Sequence, residues 1–201
     1  MDPRQRRSRE RLHRAILRLA TDSPVADLSV TTVATAAGVH RSTFYQHASS
    51  PATLLEQALL EELDALRAGL VAPDGDVAAA VTAVTEGVLR HIEAHLEIYR
   101  RGLGEDSGEA SLRPMLSQHF RESGHHLINQ PGAGLEVRVS GLTRQAITDA
   151  ATRFIADGTV GLLVGWVQEP RPRVDRFLHV YTALLPDWWP GSRRSTPQCD
   201  S

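Results

Sequence analysis

Apolar positions along the chain recur at steps of three and four, and nowhere alternate over a full strand length, so the pattern predicts an all-α protein. In residues 8–22, Leu12, Ala15, Ile16, Leu19 and Ala20 form one stripe while Arg7, Arg11, Arg14 and Arg18 line another; one face packs and the other is cationic. Ser23-Pro24 breaks this helix. Ser29 offers an N-cap to a short helix over VTTVATAA, with Val30, Val33, Ala34 and Ala37 facing inward, and Gly38 stops it. His40 to His47 is helical again after the turn Ala37-Gly38-Val39, and its one strong anchor is Phe44, set among Arg, Ser, Thr, Tyr, Gln and His. Two short helices so joined make a helix-turn-helix. Ser50-Pro51, a cap followed by an N1 proline, then opens a longer helix carrying Leu54, Leu55, Ala58, Leu59, Leu63, Leu66 and Leu70.

Beyond the Pro73-Asp74-Gly75 break the helical period continues. Val77, Val81, Val84, Val88, Ile92, Leu96 and Tyr99 make one sustained seam, read as a single helix ended by Gly102-Leu103-Gly104. Leu112, Met115, Leu116, Phe120, Leu127 and Ile128 make the next, which Gly124 weakens, and residues 129–134 are a loop. A long, largely apolar helix runs from Thr143 through Trp166 to Glu169-Pro170. The last, Val174 to Leu185, carries Phe177, Leu178, Tyr181 and Leu184 at helical spacing. Val137 and Val139 alternate with charged neighbours, too briefly for a sheet. The domain division expected is 1–50 for the helix-turn-helix and 51–201 for a helical body.

Charge sharpens this division. Over 201 residues the net charge is −2, but residues 1–50 hold eight arginines against four acids, a net of +4, and the remainder carries −6. A basic segment on an acidic body suits a polyanionic partner, with a merely solvated basic tail as the alternative. All 22 basic residues are arginine, which excludes P-loop, Schiff-base and Ser-x-x-Lys chemistries that need an ε-amine. Cys199 is the only cysteine, so no intrachain disulfide or zinc ribbon can form, and a cytoplasmic setting is expected. No membrane-spanning run and no secretory leader is read.

The run Leu28 to His47, with Gly38-Val39 ahead of Ser42-Thr43-Phe44-Tyr45-Gln46-His47, and Leu54-Leu55 after it, resembles the DNA-binding segment of the tetracycline-repressor (TetR) family. The likeness covers about the first quarter of the chain; the rest resembles the family in its helices and length. His40 stands where the family usually has serine, Ala48 where an aromatic residue follows the histidine, and Pro51 where lysine is common. The resemblance implies a homodimer that presents two copies of helix 40–47 to successive major grooves of an operator, released by a small-molecule effector. Arg41 is then suited to guanine, Ser42 and Thr43 to base edges, and Thr31, Thr32, Tyr45 and His47 to phosphates, with His40 altering base choice. Arg4, Arg6, Arg7 and Arg9 would form a flexible arm for the minor groove or backbone. The same resemblance assigns subunit contact to the last two helices through Phe154, Gly161, Gly165, Phe177 and Tyr181, with intrachain packing as the alternative for the glycines.

His95, Tyr99, Arg100, Phe120 and Trp166 are the candidates for lining an effector cavity, each equally explained as core or surface. The largely aliphatic seams favour an apolar or amphipathic effector. His91 and His95, four apart, can put two imidazoles on one metal, but Glu93 between them is misplaced for His-Glu-x-x-His. They are read as polar surface histidines, with metal sensing as the lesser alternative, and no metal or other cofactor is assigned. No catalytic signature is present. An effector-independent DNA-binding dimer and a small helical enzyme acting on an anionic substrate are the competing functions.

Overall fold

A computed structural model describes residues 2–68, 77–130, 133–135, 137–190 and 192. Among them are nine α-helices and no strand: α1 (Pro3–Asp22), α2 (Val30–Ala37), α3 (Arg41–Tyr45), α4 (Pro51–Arg67), α5 (Val77–Ala94), α6 (Leu96–Leu103), α7 (Arg113–Ile128), α8 (Arg144–Val167) and α9 (Val174–Leu184). Short 3-10 segments at Val25–Asp27 and Glu105–Ala110 join α1 to α2 and α6 to α7; neither has an apolar period to announce it. Leu70, the Pro73-Asp74-Gly75 break, Cys199 and part of the 129–134 loop lie outside the described residues.

The helix starts follow their caps. Ser29 Oγ accepts from Thr32 N (3.0 Å), Ser50 Oγ from Thr53 N (3.1 Å) and Thr143 Oγ1 from Ala146 N (3.2 Å). Each satisfies an amide with no partner inside its helix. α1 begins earlier than its apolar stripe, because Asp2 caps Arg4 N at 2.8 Å and Pro3 occupies the first turn. Arg4, Arg6, Arg7 and Arg9 therefore stand on the first turns of a helix; the expectation of a flexible arm is corrected.

The expected single helix from Val77 to Gly102 is two. His95 leaves helical geometry (φ −113, ψ 30), and its amide is shared between the carbonyls of His91 (3.1 Å) and Ile92 (3.2 Å). A one-residue interruption keeps every apolar side chain within the same seam, so the period does not report it. Gly124, by contrast, leaves α7 unbroken. A Cβ there would come within 3.1 Å of both Thr152 and Trp189, so the missing side chain is what lets those two approach.

The chain forms two compact units, Met1–Asp64 with His91–Met115, and Ala65–Arg90 with Leu116–Ser201. In the first, α1 packs on α2 and α6, and α2 on α3. Leu12, Ile16, Val33 and Phe44 are among its fully enclosed side chains, each contributing about 1.5–3 kcal/mol by burial. This unit runs past residue 50. Arg9 and His13 of α1 both reach Glu61 of α4 at 2.9 Å, and Arg101 of α6 donates to Ala20 O (2.7 Å) and Thr21 O (3.0 Å) at the end of α1. In the second unit, Val81, Leu127, Ile128, Leu135, Ala151 and Trp189 form one cluster, and α8 pairs with α9. No helix of the described residues is long and apolar enough to cross a membrane.

Candidate nucleic-acid interface and ligand cavity

The turn between α2 and α3 is fixed by glycine. Gly38 adopts the left-handed conformation (φ 60, ψ 42), with its amide on Thr35 O and that of Val39 on Ala34 O, the paired bonds of a Schellman ending. Arg11 reaches across from α1 and donates to Gly38 O at 2.8 Å. The sequence pattern places Arg11 on a uniform cationic face; it is instead a strut that holds the turn, a role only the packing of α1 on α2 reveals.

α3 then divides by face. Phe44 is completely buried while its neighbour Tyr45 is 55% exposed, their rings edge to face at 5.7 Å. Arg41 and Ser42 are exposed and Thr43 is half-buried. His40 is the N-cap: its Nδ1 accepts from Ser42 N (3.3 Å) and lies 2.9 Å from Ser42 Oγ. Where the family usually has serine, this imidazole thus does a cap's work, and Ser42 is tied to it. Thr32 shares a hydrogen bond with the cap hydroxyl of Ser29 (2.8 Å), and Thr31 is exposed beside it.

His47 is not a free phosphate ligand. Its Nε2 lies 3.0 Å from Ser8 Oγ of α1, and burial, with the nearby Arg9 cation, holds its pKa below the ordinary imidazole value. Arg9 is turned to Glu61, so Arg4, Arg6 and Arg7 remain the exposed cations of the first turns of α1. Ala48 is buried with no aromatic ring in its place, and Pro51 begins α4 behind the Ser50 cap.

The second unit holds a cavity of about 670 Å³, its open mouth included, between residues of α5, α7, α8 and α9. Valines 81, 84 and 88, Leu127, Ile155 and Leu163 make it apolar, and Thr85, His119, Ser123, Thr159 and Tyr181 supply its polar atoms. Thr85, Ser123 and Thr159 each donate to the carbonyl four residues back, at 2.7, 2.8 and 2.7 Å. Their oxygens keep lone pairs for a donor. Burial raises the Tyr181 phenol, partly opposed by its hydrogen bond with Thr159. Among the described residues no Arg, Asp or Glu lines the cavity.

Of the five sequence candidates for this lining, Phe120 alone is there. Tyr99, His95 and Arg100 belong to the first unit, and Trp166, though buried, packs its ring on Phe177 at 5.5 Å and donates its indole N–H to Arg173 O (3.2 Å). Conversely, Phe177 and Tyr181, expected at a subunit contact, stand in the cavity wall, stacked at 5.9 Å. The α8–α9 pairing turns them inward, which a shared helical stripe cannot distinguish from an outward face. Phe154 is 67% exposed, and a Cβ added at Gly161 or Gly165 would meet nothing within 4 Å.

No protein-family model matches the chain, and none of the curated proteins matches it. Among solved structures, a TetR-family transcriptional regulator from Streptomyces coelicolor superposes with a TM-score of 0.59 over 91% of this chain and 81% of its own, at 20% identity. The fold is that of the TetR-family regulators. NalD, the secondary repressor of the MexAB-OprM multidrug efflux pump in Pseudomonas aeruginosa, is similar at TM-score 0.56 and 20% identity, covering 93% of this chain and all of NalD. The dihydroxyacetone kinase operon activator DhaS reaches 0.61 at 12% identity, over 88% and 94%. Within this fold, the helix-turn-helix presents exposed polar side chains on α3 and the second unit holds an apolar cavity.

Proposed function

We propose that the protein is a dimeric, DNA-binding transcriptional regulator, a repressor that leaves a two-fold-symmetric operator when a small molecule enters the second-unit cavity. The observation that carries the DNA-binding reading is the division of α3: Phe44 is enclosed while Arg41, Ser42 and Tyr45 are presented to solvent. A five-residue helix that buries one ring and turns its polar residues outward suits major-groove contact, with Arg41 bidentate to guanine. The exposed Arg4, Arg6 and Arg7 support it. Cations at the N-terminal turns of α1 oppose the helix dipole, and DNA phosphates would relieve that repulsion.

The likeness to regulators of the TetR fold supports the same reading at the level of fold. Exposed apolar side chains at Phe154, Val180 and Leu184, beside the bare glycines of α8, favour a second copy of the chain as the partner of α8 and α9. An apolar cavity with no charged side chain among its described lining residues favours a neutral, mainly apolar effector that donates a hydrogen bond. Selection of duplex DNA from a random pool by the full chain, followed by affinity measurement at two salt concentrations, tests the core of the proposal. Enrichment of one inverted-repeat sequence supports it; uniform retention of all sequences, or none, rejects it.

A further inference from the structure

We propose that Glu62, His91 and His95 form a binding site for a first-row divalent cation of the zinc type, fastening α4 to the junction of α5 and α6. Glu62 comes from α4, His91 from the last turn of α5, and His95 is the residue at which α5 gives way to α6. All three lie in the first compact unit. His91 Nδ1 stands 3.1 Å and His95 Nε2 3.0 Å from the same oxygen, Glu62 Oε2, and one ligand atom from each lies within 4.8 Å of the other two. A tetrahedral ion with bonds of about 2.1 Å needs donors about 3.4 Å apart. Two of the three separations are close to that value and the third lies within 4.8 Å.

The outer partner is in place as well. His91 Nε2 lies 2.9 Å from the hydroxyl of Tyr99, which is wholly buried on α6. When His91 Nδ1 gives its lone pair to a metal, Nε2 must carry the proton, and Tyr99 Oη accepts it; the second partner of a ligating histidine characteristically orients the ring in this way. Two imidazoles and one carboxylate suit zinc and its neighbours, whereas magnesium and calcium prefer oxygen donors throughout. His95 and Glu62 are partly exposed, which leaves an entry path and room for a water or anion as fourth ligand. The sequence offered only the two histidines; the carboxylate that completes the set lies 29 and 33 residues earlier, on another helix.

The test is calorimetric titration of Zn²⁺ into the full chain after chelator stripping, in a Cys199→Ser background that removes the only thiol. The expected result is one ion per chain, bound tighter than about 10 μM, with no heat from Mg²⁺. Glu62→Gln and His95→Ala should each weaken binding at least tenfold while keeping the melting temperature of the stripped parent. Tyr99→Phe, a positioning change, should weaken it about tenfold. His125→Ala/His126→Ala, in the other unit, should change nothing. Binding weaker than about 10 μM, binding retained by both Glu62→Gln and His95→Ala, or binding lost with His125 and His126 would overturn the proposal. Should the ligand variants unfold, Co²⁺ on the parent chain decides: a four-coordinate visible spectrum supports the site, and the spectrum of the hydrated ion rejects it.

Discussion

Arg41 opens α3 with its guanidinium in solvent, whereas Arg9 and Arg11, equally basic in the sequence, are turned to Glu61 and to Gly38 O. These arginines should respond differently to removal. Arg41→Ala should cost about 1–3 kcal/mol on the selected operator and almost nothing on random DNA. Arg4→Ala/Arg7→Ala should weaken both and lower the slope of log affinity against log salt by about 0.9 for each phosphate no longer neutralised. Anisotropy titrations on both duplexes read this, and equal losses for Arg41→Ala on the two would refute the base contact. Two histidines of the same unit set a pH dependence. Burial lowers the pKa of both His13 and His47; at His13 the Glu61 carboxylate opposes it, and at His47 the Arg9 cation adds to it. With folded values below the unfolded value of about 6.5, the unfolded chain binds more protons in the window between them. Stability should be level above that window, fall as pH drops through it, and level again below the folded values. Urea midpoints from pH 7.5 to 5, with chelator present, should decline in the parent and less steeply in His13→Gln/His47→Gln; parallel curves would contradict the assignment.

At the scale of elements, the α2–turn–α3 segment depends on a backbone conformation that only glycine takes without strain. A Cβ at Gly38 would stand 2.3 Å from the Arg11 guanidinium, so Gly38→Ala adds the loss of the Arg11 strut to a left-handed penalty of about 1–2 kcal/mol. The expected effect is a lower melting temperature with operator binding reduced at temperatures where the unit remains folded. Arg11→Ala should reproduce the smaller part of that loss, and an unchanged melting temperature for Gly38→Ala would show the turn to be laxer than its hydrogen bonds indicate. The caps at Ser29 and Ser50 and this turn were legible in the sequence because each is a local event: a serine three residues ahead of an amide, or a glycine after a short apolar run; the caps at Asp2 and His40 were not. The break at His95 was not legible. No proline or glycine marks it, and the apolar seam runs through it.

For the whole molecule, the exposed Phe154 of α8 offers the sharpest test of assembly. Phe154→Glu places a charge where a second copy would bury a ring, and since the side chain is largely in solvent, the monomer should fold unchanged. Sedimentation velocity should report a dimer for the parent and a monomer for the variant at the same concentration, with equal helical circular dichroism; a monomeric parent would remove the dimer from the proposed function. At this scale periodicity reaches its limit. One helical stripe carries Phe177 and Tyr181 together with Leu184, yet the first two line the cavity and the last is exposed. By itself the sequence determined most of the helices, the caps at Ser29 and Ser50, the helix-turn-helix and the arginine-rich segment, since periodicity, capping and composition are properties of neighbours in the chain. Only the tertiary structure decided which arginines are struts, which aromatic residues enclose the cavity, and that Glu62 meets His91 and His95. Those contacts join residues distant in the chain, and their distances are fixed by how the helices pack.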